Sequence, residues 1–140
     1  MNFHLLEINL TTGEKKVVDV SKDIRRYLGG RGYGAKLSWE RIPQGADPLG
    51  EDNILYIGVG PMTGFLGAIT SINGKSPLTL RGGTSHMNGH FGNELIYAGY
   101  NAGILVTGRS PKPVYLYIKN DRVEIRDASH LWGETNLSAQ

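Results

Sequence analysis

The sequence contains no cysteine. That excludes disulfides, a Cys-ligated zinc site and an iron–sulfur cluster held by the chain's own thiolates. It also lacks any apolar run approaching the ~20 residues of a membrane-spanning helix. The first residues alternate apolar and polar and include His4 and Glu7, so they do not read as a signal peptide. A soluble, cytoplasmic protein with no membrane partner is expected. Charge of one sign is scarce as well: the net charge is +2, and Lys and Arg are dispersed. Without a basic stripe interleaved with aromatics, no nucleic-acid partner is indicated. What remains is 140 residues with 39% hydrophobic and 20% charged side chains, the composition of one ordinary globular domain. A chain of this length can bury roughly two-thirds of its unfolded surface, enough for a core without staples. Glycine is the abundant residue: its twenty copies are about twice the usual share. They gather at 29–34, 58–67, 82–92 and 99–108 without a period, which implies close backbone approaches rather than low complexity.

Alternation over Phe3–Leu10, the turn Thr11-Thr12-Gly13-Glu14 and the return Lys15–Val20 predict an amino-terminal hairpin. Ser21 reads as an N-cap, with Ile24, Tyr27 and Leu28 at helical spacing and Gly29-Gly30 as the stop. A second helix is expected from about Gly34 to Arg41, ended by Pro43. Ile54–Val59 reads as a buried strand, and Ile69–Ile72 as another. Lys75-Ser76-Pro77 should interrupt the latter before Leu78–Arg81 resumes it, and Gly82–His90 reads as a loop. Gly92–Tyr100 predicts a short helix; Ile104–Thr107, Val114–Lys119 and Arg122–Arg126 predict strands, followed by one turn at Asp127–Leu131. This order predicts an α+β fold of mainly antiparallel sheets with a few short helices. The polar tail Asn136–Gln140 shows no capping pattern, so residues 1–140 are expected to form a single but incomplete domain.

Three short motifs invite chemistry. Gly29–Gly34 approaches a dinucleotide fingerprint, but the segment before it is helical rather than a strand, and a helix stop followed by close helix packing accounts for the glycines. Gly74-Lys75-Ser76 resembles the end of a phosphate loop, yet the first required glycine falls on Ile69 and Pro77 follows at once. Backbone N–H groups and the Lys75 ammonium could still hold phosphate without a P-loop. His86 and His90 are four apart, as in helical metal sites, but Asn88-Gly89 lie between them and no H-E-x-x-H partner exists. The stretch from His86 to Tyr100 suits a large polyanion approached by backbone, with glycines removing bulk and a following helix offering N–H groups. A tight loop that merely caps a helix fits the same residues.

The succession GGRGYG (29–34), GPMTG (60–64), KSPLT (75–79), FGNELIYAGY (91–100), KPVYLYIK (112–119) and VEIRDASHLWG (123–133) resembles the amino-terminal domain of aldehyde:ferredoxin oxidoreductases. The resemblance holds in order and spacing over nearly the whole chain. It implies a base of two sheets carrying a tungsten or molybdenum bis-pyranopterin cofactor with magnesium. A [4Fe–4S] cluster and the substrate pocket would come from later domains or a cysteine-containing partner subunit. The implied reaction takes aldehydes to carboxylic acids, with ferredoxin as electron acceptor. The absence of cysteine agrees with such a division, and the isolated chain is expected to be inactive.

Carried over residue by residue, the resemblance places His86 where many members have an Asn that helps hold the magnesium bridging the pterin phosphates. Asn88 falls at a glycine whose backbone touches the pterin, and Gly89 keeps the neighbouring glycine. Ile69 stands where members carry a cofactor-binding Arg, a departure that removes a charge-assisted contact of about 1.5–3 kcal/mol. Ser71 and Asn73 are polar candidates nearby. Lys75, His86, Asn88 and Gly89 are thus the expected cofactor-binding residues, with His86, Asn88 and Gly89 on one concave surface and Lys75 close by. No residue is expected to be a proton-transfer catalyst. The alternative function is a non-catalytic cofactor- or protein-binding module that has lost its metal. If the chain is a fragment, self-association into a homo-oligomer or an exposed apolar patch larger than a few hundred Å² is expected.

Overall fold

The computed structural model describes residues 2–135 and 138; the uncapped tail expected at 136–140 lies, apart from Ser138, outside them. Strands β1 (His4–Asn9) and β2 (Lys15–Asp19) form the expected antiparallel hairpin. They are followed by helices α1 (Ser21–Tyr27) and α2 (Gly30–Arg41), then β3 (Leu55–Val59), β4 (Thr70–Lys75) and β5 (Gly82–Met87). Helix α3 (Phe91–Tyr97) leads to β6 (Gly103–Thr107). Strands β7 (Val114–Lys119) and β8 (Arg122–Asp127) follow, and then a single 3₁₀ turn, Ser129–Leu131. The fold is α+β. One sheet has six strands in the order β2-β1-β6-β3-β4-β5, and β7-β8 make a second of two. Every pairing of these strands is antiparallel except β1 with β6. Among the described residues no helix is long and apolar enough to cross a membrane.

Strand alternation sends side chains to both faces of the large sheet, and both faces are covered near its middle. Leu5, Tyr56 and Leu105 pack with Val20, Ile24, Tyr33 and Leu37 under α1 and α2. Leu6, Ile8, Ile104 and Val106 pack with Val59, Leu95 and Tyr100 under α3 and the β7-β8 hairpin. Each buried aliphatic or aromatic side chain of this kind contributes about 1.5–3 kcal/mol. Gly103 lets β6 start between β1 and β3: its φ is +101°, and a Cβ would sit 2.2 Å from the Ile57 carbonyl oxygen.

Four details depart from the sequence-based expectation. Ser21 does not cap α1 from outside; it is the first helical residue, and its hydroxyl donates to the Asp19 carboxylate while accepting the Phe3 N–H at 2.8 Å. Helix α2 starts at Gly30 rather than Gly34, because Leu28 itself adopts the left-handed conformation (φ 61°) that ends α1. Gly30 opens the helix at φ +45°, and the glycines at 32 and 34 lie inside it at a propensity cost of about 1 kcal/mol each. Packing demands at least two of them: a Cβ on Gly32 would meet the Tyr27 carbonyl at 2.2 Å, and one on Gly34 the Asn73 amide at 2.4 Å. Residues 78–81 do not resume a strand. Ser76 accepts the N–H groups of Leu78 and Thr79 through its hydroxyl and of Leu80 through its carbonyl, making a turn with Leu80 at φ 57°. Gly82–Met87 is a strand rather than a loop, fully paired with β4. It escaped detection because it is an edge strand largely exposed on both faces, so it carries no apolar alternation; only its backbone bonds define it.

Candidate functional site

A cleft of about 300 Å³ opens where the start of α2, the end of β3, the loop 60–69, β4 and β5 converge. That is the lower end of the size range of small-ligand sites. Its polar wall is Ser71 on β4 and His86 on β5, which face each other in the β4–β5 register. Ser71 is held from behind: its hydroxyl donates to the Gly58 carbonyl at 3.3 Å and accepts the Asn73 side-chain amide at 3.3 Å. Asn73 in turn accepts the Thr84 hydroxyl at 3.0 Å. Ser71 and Asn73 are 4% and 2% exposed, so this chain of hydrogen bonds fixes the wall without help from solvent.

The opposite wall is loop 60–69, which braces itself. Thr63 Oγ1 accepts the Gly60 N–H at 3.1 Å and donates to the Ile69 carbonyl at 3.2 Å, and the Gly64 N–H donates to the Gly67 carbonyl at 2.7 Å. This bracing turns Met62, Leu66 and Ile69 toward solvent at the cleft edge, 49%, 75% and 54% exposed. Phe65 beside them is 81% exposed, and Leu78 and Leu80 at the β4–β5 turn are also exposed. These are one group among the exposed large hydrophobic side chains; Trp39, Leu49, Tyr97 and Trp132 are exposed elsewhere on the described surface.

Glycine has two different reasons to be in this cleft. At Gly58 a Cβ would strike the Tyr56 ring at 2.3 Å, so packing requires glycine. At Gly60 the nearest atom to a Cβ is Thr63 Oγ1 at 3.8 Å, and at Gly67 there is nothing within 4 Å; neither has a positive φ. The chain's own fold would accept a side chain at both places, which leaves room for an occupant as the reason for having none.

The electrostatics favour an anion. Arg31 and His86 are the ionisable side chains of the cleft, and among the described residues no carboxylate lines it. Helix α2 begins at its edge without a side-chain cap and without an acidic residue in its first turn, so its first N–H groups remain available. The Arg31 side chain makes no ion pair or hydrogen bond among the described residues.

Of the expected site residues, only His86 lines the cleft. Asn88 and Gly89 follow directly after β5, both exposed, and Gly89 takes φ +117° with open space where a Cβ would go. They stand beyond the cleft's His86 end. Gly92 has a packing role instead: it is buried inside α3, 2.7 Å from Thr70 Oγ1 at the position of a Cβ. Lys75 is not brought close. It pairs with Gly82 at the far end of the β4–β5 ladder, four residues from the Ser71–His86 pair, a strand distance of about 13 Å. Its ammonium donates to the Ala46 carbonyl and its backbone N–H to Asn53 Oδ1 at 2.9 Å, so it ties down the preceding loop. His86 and His90 do not build a metal site by themselves: among the described residues no group of three or more His, Asp or Glu could hold a metal ion.

Sequence reading missed Arg31, Thr63, Gly60 and Gly67. The glycine clusters at 29–34 and 58–67 were visible, but that both border one cleft depends on long-range pairing of β3, β4 and α2.

A family model described as aldehyde ferredoxin oxidoreductase, N-terminal domain, matches residues 5–140. The chain is 46% identical over 133 residues to a tungsten-containing aldehyde ferredoxin oxidoreductase of Thermococcus kodakarensis, covering 92% of this chain and 22% of that protein. It is 43% identical over 137 residues to the WOR-like subunit of an aliphatic sulfonate oxidoreductase of Pyrococcus furiosus, covering 94% of this chain and 22% of that one. Among solved structures it resembles a chain of the active-site complex BamBC of benzoyl coenzyme A reductase with 1,5-dienoyl-CoA. There the TM-score is 0.91 at 39% identity, over 99% of this chain and 22% of that chain. The chain thus spans about a fifth of the length of the relatives it matches. With its α+β architecture and a match running from residue 5 to residue 140, the chain belongs to the aldehyde ferredoxin oxidoreductase family, in the region of that family's N-terminal domain.

Proposed function

We propose that the cleft seats the anionic, phosphate-bearing part of a tungsten or molybdenum pyranopterin. The chain would then be the cofactor-supporting part of an oxidoreductase that converts aldehydes to carboxylic acids with ferredoxin as acceptor. The observation that carries this reading is the pair Gly60 and Gly67, cleft-wall glycines that the fold itself does not need. A flat heterocycle with phosphate fits what surrounds them: exposed apolar side chains at the edge, hydroxyls and an imidazole on the wall, and an uncapped helix start. When bound, the metal supplies the redox chemistry; this chain binds, orients and shields the cofactor. His86 would offer an imidazole nitrogen to a magnesium ion accompanying the cofactor. Asn88 and the open backbone at Gly89 extend the same contact beyond the cleft. Lys75, more than a Debye length of about 8 Å from the His86 end, adds little potential there. The [4Fe–4S] cluster, the substrate pocket and the ferredoxin contact belong to further domains or a cysteine-containing partner. Their docking would cover the exposed Phe65, Leu66 and Leu78.

The second reading, a metal-free binding module, draws on Ile69: a half-exposed apolar side chain stands in the cleft wall where a charge would strengthen anion binding. One experiment separates the two. Gly67→Phe fills the cleft from a position where the chain offers no obstruction. In the assembled enzyme, tungsten, molybdenum and pterin content per subunit should fall at least about tenfold, while the melting temperature of the cofactor-stripped protein matches that of stripped wild type. His86→Ala should lower magnesium content first. A Gly67→Phe protein with undiminished metal and pterin would contradict the proposal, and a wild-type assembly without either would favour the module.

A further inference from the structure

Arg31 is a charged side chain at the cleft with no assigned task. It lies in the first turn of α2, lines the cleft with Ser71 and His86, and is exposed. Other cations of α2 are committed. Lys36 is paired with Asp23 and Glu40, both at 2.8 Å, and Arg41 with Glu7 at 3.2 Å. Arg31 has no such partner among the described residues, and no carboxylate among them lines the cleft to compete for it. A guanidinium presents a planar fork of donors that matches phosphate oxygens two at a time. At this helix start the fork and the unpaired backbone N–H groups of α2 would act on the same anion.

We infer that Arg31 is the anion anchor of the cleft, a cofactor-positioning residue whose guanidinium holds a phosphate group of the bound cofactor. The inference rests on the cofactor-seating reading above and goes beyond it by assigning the charge that retains the ligand. Ile69, on the opposite wall of the same cleft, makes a relocation test available: an Arg placed there puts a guanidinium into the same space from the other side.

The test uses the assembled enzyme. Wild type, Arg31→Met, Arg31→Lys, the double variant Arg31→Met/Ile69→Arg, and Gly67→Phe are purified in parallel. The readouts are pterin and tungsten per subunit, the melting temperature, and the salt dependence of pterin loss on dialysis. Losing one charge-assisted phosphate contact should weaken retention on the order of tenfold to a hundredfold. Arg31→Met should therefore shed pterin and lose most of the salt dependence, since screening acts on the charge that has been removed. Arg31→Lys should retain an intermediate amount, lacking the fork, and the double variant should recover both content and salt dependence. In the cofactor-stripped proteins an unchanged melting temperature is expected for the Arg31 variants, because the Arg31 side chain has no hydrogen bond or ion pair to the rest of the fold among the described residues, whereas the loaded forms differ by the stabilisation that bound cofactor adds. Full retention with wild-type salt dependence in Arg31→Met, while Gly67→Phe is empty, would overturn the anchor and leave the cleft reading standing. Loss of content together with a lowered melting temperature of the cofactor-stripped protein, repaired neither by Arg31→Lys nor by the relocated charge, would make Arg31 structural and overturn it too. If Gly67→Phe and Arg31→Met both retain the cofactor in full, the cleft reading fails and takes this inference with it.

Discussion

On the adjacent central strands β1 and β6 of the large sheet almost every apolar position is buried. Leu5, Leu6, Ile8, Ile104 and Leu105 are 0–2% exposed, and Tyr56 on neighbouring β3 donates its hydroxyl to the Ala102 carbonyl at 2.7 Å. On the β4-β5 side the pattern inverts. The side chains facing the cleft are Ser71 and His86, and the large apolar residues Met62, Phe65, Leu66 and Ile69 point outward. The two buried side-chain atoms without a hydrogen-bond partner among the described residues, Thr70 Oγ1 and Asn93 Oδ1, also lie near this side. Each unpartnered atom costs about 1–3 kcal/mol. One half is therefore built for stability, and the other carries unmet polar and apolar demand that stability alone would have removed. Sites of this kind are where local rules are broken.

The largest effect is expected in the closed half. Leu105→Ala should cost about 2–5 kcal/mol, because both faces of the central strand are packed and the cavity cannot collapse. Chemical unfolding would show it, and a loss below about 1 kcal/mol would mean the core is looser than described. Alkaline titration comes next. Burial, opposed in part by the Lys36 charge, pushes the Tyr33 hydroxyl up to about 12, and burial raises Tyr56 further. A folded pKa above the unfolded value of about 10 means stability is complete below pH 10 and is lost as pH rises from there through the folded values. Tyr33→Phe should remove about 1–2 kcal/mol of that loss at pH 12, leaving the neutral-pH response of the cleft half unchanged.

Gly34→Ala probes the seam between the halves. Its Cβ would press on Asn73 and on the Tyr56 ring at 2.8 Å, at a cost of about 1–3 kcal/mol, and should disturb the Asn73–Ser71 support of the cleft as well. Loss of stability without any loss of cofactor would show that the two halves are independent. The smallest effect is expected from Leu66→Ser on the open side: within about 0.5 kcal/mol in the isolated chain, but with weakened association with the remaining domains or partner. A large fall in intrinsic stability there would mean that the exposed apolar residues belong to this chain's own core.

Legibility in the sequence followed the same division. Where one face packs and the other does not, periodicity is visible: the β1–β2 hairpin, β7 and β8 stand within two residues of their expected bounds, and α3 ends three residues early. Buried β6 was legible as an apolar run. Edge strand β5 was not, since pairing through backbone alone leaves no side-chain signature. The early start of α2 was hidden because three glycines read as a helix break, when close contacts with Tyr27 and Asn73 are what require two of them. His86 was found from its segment, whereas Lys75 was placed near it only because the two are close in sequence; a hairpin turn between them put them at opposite ends of the ladder. Arg31 reaches the cleft through folding across some forty residues, which no local pattern records.

The most direct measurement is a structure of the assembled, cofactor-loaded enzyme at a resolution that shows phosphate oxygens. The account predicts that pterin density lies along Gly60 and Gly67, with a phosphate between the Arg31 guanidinium and the His86 imidazole. Pterin density lying against another face of the sheet, with this cleft filled by solvent or by a side chain of another domain, would contradict it.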